Sequence, residues 1–195
     1  YQSIHVNEPA CSVWINTNIT QPLCFDSTGS ISWTAGGGSP NYTSSIIDLS
    51  TGSYVYNPTS QTIPTWSTTG LQDGTYYLSI SDNLGCLVGY TFTIQSPNAL
   101  TTSHNITNVS CFGGNDGAVT LYIHGGTTDY TVSAFGITLF LPGGVDSIAS
   151  SNLPLPFGIP AGAYPFIVTD ANGCSTTDTV FITQPNPITV LSSTQ

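Results

Sequence analysis

The sequence predicts an all-β chain made of tandem immunoglobulin-like β-sandwich repeats of about 88 residues, and three observations carry that expectation. Gly74–Asp82 ("GTYYLSISD") and Gly162–Asp170 ("GAYPFIVTD") alternate, are rich in aromatic and β-branched residues, and stop at Asp/Asn/Gly turn signals. No segment carries a 3.6-residue apolar period, and the helix formers Lys, Arg and Met are absent, with Glu present once, as Glu8. The third observation is internal repetition. Cys24–Tyr42 lies over Cys111–Tyr130 and Phe92–Asn98 over Phe181–Asn186, each with a one-residue slip, and Gly74–Cys86 lies over Gly162–Cys174 without a gap; the anchors Cys24/Cys111, Cys86/Cys174 and Pro97/Pro185 are offset by 87, 88 and 88 residues.

That period sets the boundaries. Residues 1–9 read as the last strand of a preceding repeat, 10–97 as the first complete repeat, 98–185 as the second, and 186–195 as the first strand of a following one. The chain is therefore expected to be a window on a longer array. Within each repeat the shared strands are "GSISWTAGGG" and "GAVTLYIHGG", "GTYYLSISD" and "GAYPFIVTD", and "YTFTIQSP" and "TVFITQP". The middles, roughly 43–69 and 131–157, do not match one another, and variable strands and loops are placed there.

Composition excludes whole classes of function. Only 5% of the 195 residues are charged and all ten charges are negative, giving a net charge of −10. With no Lys or Arg there is nothing to neutralise phosphates, so nucleic-acid binding is excluded, and attraction to an anionic membrane surface fails for the same reason. No stretch approaches the roughly 20 apolar residues of a membrane-spanning helix. The opening "YQSIHVNEP" lacks the basic and apolar regions of a signal peptide, so numbering is expected to start inside a mature or longer chain. A chain without Lys or Arg offers trypsin-like proteases no cleavage site, which suits an extracellular setting.

The repeat pairs the cysteines by position: Cys24 with Cys86 and Cys111 with Cys174, one at each end of the same repeat. Such disulfides stabilise by about 4 kcal/mol on the chain-entropy argument and imply an oxidising compartment. Buried free thiols are the alternative. Cys11 is left over, to be buried or bonded to a neighbouring repeat or chain.

"DNLGC" (82–86) and "DANGC" (170–174) fit strand–turn–strand corners, with the Asp capping its own backbone and Gly85 or Gly173 supplying a positive φ. The functional alternative is calcium. If the expected disulfides form, Asp26 approaches Asp82, and Asn115 and Asp116 approach Asp170, gathering oxygen ligands for a hard cation. His5, His104 and His124 occupy unrelated repeat positions, and no Ser sits in a Gly-x-Ser-x-Gly elbow, so the chain is not expected to be an enzyme. Tyr54, Tyr56, Trp66 and Phe140 fall in the variable middles and are candidates for stacking on sugars, with inward packing as the alternative; Trp33, Tyr76 and Tyr164 recur on shared strands and are assigned to the core. Asn18, Asn41, Asn105 and Asn108 begin Asn-x-Ser/Thr triplets, a weak signal in a chain so rich in Ser and Thr.

"TNVSCFGGNDGAVTLYIHGGTTDY" followed by "AGAYPFIVTDANGCSTTDTVFITQPNPITV" resembles the SprB-type repeat of giant cell-surface adhesins from gliding bacteria of the Bacteroidetes group. The first unit looks like a diverged copy, so the resemblance covers most of the chain. The family pattern falls on Cys111, Asp116, Gly117, Gly162, Tyr164, Asp170, Gly173 and Cys174, and in the first unit on Cys24, Gly29, Gly74, Tyr76, Asp82, Gly85 and Cys86. There "DSTG" replaces the Gly-Asn-Asp-Gly run, which separates the two units in any shared ligand role. The resemblance implies a long cell-surface filament, exported by type IX secretion and moved along the outer membrane during gliding. Its partners would be neighbouring repeats, surface polysaccharide and the gliding machinery. It also implies O-glycosylation at Asp-Ser/Thr-apolar signals, which here mark Ser27, Ser147 and Thr179.

Overall fold

A computed structural model describes residues 11–152 and 158–190. The chain divides into two compact units between Ser96 and Pro97. The expected strand over 1–9 lies outside the described residues, and Asn186–Val190 carry no regular structure.

The first unit holds seven strands: β1 (Trp14–Thr20), β2 (Gly29–Gly36), β3 (Tyr42–Asp48), β4 (Tyr54–Gln61), β5 (Thr65–Leu71), β6 (Gly74–Ser81) and β7 (Leu87–Ile94). They form a three-stranded sheet of order β1-β2-β5 and a four-stranded sheet of order β4-β3-β6-β7. The second unit repeats this plan with β8 (Thr101–Thr107), β9 (Ala118–His124), β10 (Tyr130–Ala134), β11 (Ile137–Leu141), β12 (Ser147–Ala149), β13 (Gly162–Thr169) and β14 (Ser175–Ile182). Its sheets are ordered β12-β9-β8 and β11-β10-β13-β14. Every strand pair is antiparallel. Among the described residues the helical content is one 3₁₀ turn, Ser150–Asn152. Each unit is a two-sheet antiparallel β-sandwich, the expected class.

The alternating strands explain the core. In β6, Tyr76, Leu78 and Ile80 are buried while the residues between them are more accessible, the period-2 pattern of a strand with one face inward. Trp33 fills the centre of the first unit and is 1% exposed. Its indole N–H donates to the buried Ser44 Oγ at 2.8 Å, which removes the cost of enclosing a polar group. It stacks on Trp66 at 6.2 Å and meets Tyr56 edge-on at 5.2 Å.

The second unit fills the same space differently. Its strand pairings put Leu121 opposite Ile148 where the first unit has Trp33 opposite Trp66. Ala134 in β10 takes the place of Ile46 in β3, each pairing with the central strand of its four-stranded sheet. These smaller side chains leave an apolar cavity lined by Leu121, Ala134, Ile137, Ile148 and Phe166, partly closed by the Phe135–Tyr164 ring pair at 4.9 Å. Tyr164 is accordingly half-buried against this core, whereas Trp33 and Tyr76 are fully enclosed.

Opposite outcomes are expected from changing core volume in the two units. Ala134→Ile fills part of the cavity and raises the stability of the second unit by about 1 kcal/mol. Trp33→Leu in the first unit opens a void and costs about 3 kcal/mol. Urea titration followed by tryptophan fluorescence and circular dichroism checks both.

Candidate functional site

The feature built most completely from repeated residues is the corner between the last two strands of each unit. In the first unit the Asp82 backbone N–H donates to the Cys86 carbonyl (3.0 Å) and the Gly85 N–H to the Asp82 carbonyl (3.1 Å). Gly85 closes this turn at φ 82°, a conformation that L side chains avoid. The Asp82 carboxylate then accepts three amides: Oδ1 from Leu84 and Cys86 at 2.9 Å each, and Oδ2 from Ser39 at 2.9 Å. Ser39 lies in the loop from β2 to β3, where the chain crosses from one sheet to the other. Gly38 precedes it because a Cβ there would stand 2.5 Å from Asp82 Oδ2.

The second unit reproduces the arrangement atom for atom. Asp170 Oδ1 accepts from Asn172 (3.0 Å) and Cys174 (2.9 Å), and Oδ2 from Thr127 (2.9 Å). Tyr42 and Tyr130 donate their hydroxyls to the Gly37 and Gly125 carbonyls at 2.6 and 2.7 Å, pinning the same glycine loops from beneath. Both aspartates are only 6% exposed. The amide of Ser39 holds the Asp82 carboxyl below the usual carboxylate range; burial opposes it, and the amides of Cys86, Leu84 and Gly85 add to the lowering.

The cysteines depart from expectation. Cys86 is bonded to Cys11, with Cα atoms 5.4 Å apart, so it does not pair with Cys24, and Cys11 is not left over. Cys111 is an exposed free thiol and does not pair with Cys174. The reason is strand length. Cys11 and Cys24 flank the seven residues of β1, which separate them by roughly 23 Å. The β1–β2 register places Trp14 opposite Gly36, at the end where Gly37 and Gly38 meet the Asp82 corner. Cys11 therefore reaches Cys86, while Cys24 lies at the far end. Cys111 is likewise a strand length from the Asp170 corner, with β8 intervening. Gly37 and Gly125 face the carbonyls of Ser12 and Ala99 at the same place in each unit, so Asn98 occupies the position of Cys11.

The same geometry separates the expected calcium ligands. Asp26 sits beyond β1, beside Ser27, at the opposite end of β2 from Asp82. Asn115 and Asp116 precede β9, a strand length from Asp170. Asp116 Oδ1 accepts the Ser110 amide at 2.9 Å, and the Ser110 hydroxyl and amide together lower its carboxyl. The shared tip on which the calcium expectation rested is not formed, and the oxygens of Asp82 and Asp170 are already occupied by amides. No cluster of three His, Cys, Asp or Glu side chains occurs among the described residues.

The aromatic candidates divide. Tyr54 is 51% exposed and Phe140 64% exposed, on β4 and β11, the outer strands of the two four-stranded sheets. Tyr56 and Trp66 pack against Trp33 inside the core. Two residues apart on a regular strand, Tyr54 and Tyr56 would share a face. The register moves from Ile47↔Tyr54 to Ile46↔Tyr56, so Val55 is an extra residue in a β-bulge and the two tyrosines point to opposite sides. Among the histidines, His124 Nε2 contacts Ser103 Oγ at 3.0 Å and His104 Nδ1 approaches Asp178 at 3.8 Å. Serine, histidine and acid thus occur as two separate pairs, and neither imidazole bridges a hydroxyl to a carboxylate. Of the glycosylation candidates, Ser27 donates its hydroxyl to the Cys24 carbonyl at 2.6 Å, while Ser147 and Thr179 stand half-exposed on β12 and β14.

Comparison with known proteins adds two findings. The SprB repeat family model matches residues 16–51 and 103–131, one stretch in each unit. Among solved structures the chain is similar to a segment of two fibronectin type-III domains from chicken tenascin, at 13% identity and TM-score 0.35, over 85% of this chain and 97% of that one. No curated protein matches it.

Acid tests the aspartate corner. A carboxyl lowered on folding contributes fully above its unfolded value near 4, and the contribution is lost as pH falls through the folded value. The urea midpoint of the first unit is therefore expected to drop as pH falls below about 4, and less steeply in Asp82→Asn. Asp170→Ala strands three enclosed amides and costs the second unit about 2–3 kcal/mol. Iodoacetamide applied to the native, unreduced chain is expected to label Cys111 and to spare Cys11 and Cys86, as read by peptide mass spectrometry.

Proposed function

We infer that the two SprB repeat matches mark a repeat region of the kind found in cell-surface adhesins, a reading with which the disulfide is consistent because such bonds persist in extracellular settings. No helix among the described residues is long and apolar enough to cross a membrane. We propose that the chain is a structural and adhesive stalk segment of a long secreted surface adhesin, serving gliding motility or attachment and exported by type IX secretion. The observation that carries this reading is the family match falling once in each of two sandwiches of identical topology. The work of such a segment is mechanical: it spaces a distal binding region from the cell. Neighbouring repeats are its first partners, and outer-membrane gliding machinery the partner at the cell. Sugar on Thr179, Ser147 or Ser27 would add polar bulk to a surface that has no cations.

A second reading rests on Tyr54 and Phe140, two exposed rings on corresponding outer strands, which are suited to stacking on a surface polysaccharide. Glycan-array binding that disappears in the Tyr54→Ala, Phe140→Ala double variant favours it; an array without signal removes it.

Antibody raised against the chain is expected to label intact source cells, with the label lost after surface proteolysis. Labelling only after lysis overturns the stalk reading. Intact mass of the natively secreted chain is expected to exceed the polypeptide mass by sugar increments that Thr179→Ala reduces; an unmodified mass removes the glycosylation.

A further inference from the structure

The outer face of the β1-β2-β5 sheet in the first unit carries an exposed ring beside a polar depression. Trp14, at the start of β1, is 52% exposed. It stands opposite Gly36 in the β1–β2 register, and its indole lies against that glycine, where a Cβ would run into the ring. The missing side chain lets the ring lie close to the sheet with half of its surface open to solvent. Two residues along the strand, about 7 Å away, begins a depression of about 160 Å³ lined by Asn16 and Asn18 of β1, Ser32 and Thr34 of β2 and Thr65 of β5. We propose that this face binds a neutral polysaccharide, with one sugar ring stacked on Trp14 and the next lying over the amides and hydroxyls of the depression.

Three observations support this. The polar side chains are available: among the described residues, none of Asn16, Asn18, Ser32, Thr34 and Thr65 hydrogen-bonds another protein group through its side chain. Amides and hydroxyls donate and accept, as sugar hydroxyls do, so each can pair with a sugar. The face also bears no charge. The aspartates of this unit, Asp26, Asp48, Asp73 and Asp82, all lie off β1, β2 and β5, and the chain has no Lys or Arg. An uncharged patch on a chain of net charge −10 suits a neutral ligand, whereas an acidic glycan meets only repulsion. Finally, an apolar platform stands next to a few polar groups, which matches a sugar ring with its apolar C–H face and polar rim.

The second unit lacks this face although its three-stranded sheet has the same order. Thr101 stands opposite His124 there, so both the ring and the glycine beneath it are replaced. Its polar groups are also engaged with one another: Ser103 Oγ meets His124 Nε2 at 3.0 Å, and the Asn105 amide donates to the Tyr122 hydroxyl at 3.4 Å. The site is a property of the first unit alone. It shares a ligand class with the Tyr54 and Phe140 reading but lies on the opposite sheet from Tyr54, and it stands whether or not the chain is a stalk.

Native electrophoresis of the full chain through gels cast with mixed-linkage β-glucan, xyloglucan or galactomannan tests it, with alginate as the anionic counterpart. Retardation is expected in at least one neutral gel and not in alginate. Trp14→Ala is expected to weaken the apparent affinity about tenfold, the loss of one stacked ring. Gly36→Ala keeps the ring but displaces it, and is expected to weaken retardation in the same direction. Trp33 and Trp66 are buried, so a change in tryptophan emission when the retarding glycan is added reports on Trp14. That measurement decides the matter in the unsubstituted chain even if a variant fails to fold. Free passage through all the neutral gels overturns the proposal, as does retardation that survives Trp14→Ala or is matched in alginate. Retardation lost only in the Tyr54→Ala, Phe140→Ala double variant overturns this site and leaves that other reading standing. A glycan-free dimer that Trp14→Ala dissociates, seen by sedimentation, assigns the face to a second copy of the chain and also overturns it.

Discussion

The sandwiches depend on one carboxylate each. Asp82 and Asp170 sit at the corner between the last two strands and reach the glycine loop where the chain crosses between sheets. In a unit whose two sheets meet mainly through apolar side chains, this contact ties the crossover to the four-stranded sheet by hydrogen bonds to a charged acceptor. Such bonds are stronger than those between neutral groups, and they need no cation to balance them here because three amide dipoles face the charge. A chain without Lys or Arg can therefore enclose an anion near its edge. The glycines follow from the same requirement, since no side chain fits where the carboxylate approaches the loop.

Much of this was legible in the sequence. β6 and β13 announced themselves by alternation, and Trp33 and Tyr76 declared their burial by recurring on shared strands. The two corners were read correctly as turns capped by their own aspartates. What stayed hidden was the second partner of each carboxylate, Ser39 or Thr127, because 43 residues of chain intervene and a turn signature is local. The repeated Gly-Gly that follows β2 and β9 is the available signal, because it marks the cradle of an acid as well as the end of a strand. Tyr56 was misplaced relative to Tyr54 because strict alternation breaks at an inserted residue, and nothing in "YVYNP" marks Val55 as that residue.

The cysteines show where repeat logic misleads. Alignment of the two units rightly made Cys24 equivalent to Cys111 and Cys86 to Cys174, yet equivalence between units does not identify partners within one. A sandwich has two ends, and each strand carries the chain from one to the other. Cys24 and Cys86 lie at different ends, whereas the unmatched Cys11 lies beside Cys86. Counting strand lengths between cysteines would have favoured the Cys11 pairing, and it dissolves the calcium tip together with the disulfides that were to form it.

The two units differ most in how well they are filled. Tryptophans and a tyrosine occupy the centre of the first, while Leu121, Ile148 and Ala134 leave the second with empty apolar space. Hydrostatic pressure acts on such space, because unfolding eliminates it and so lowers the total volume. The two halves of the chain, equal in topology, are thus unequal in compressibility, and compression opens the second sandwich before the first.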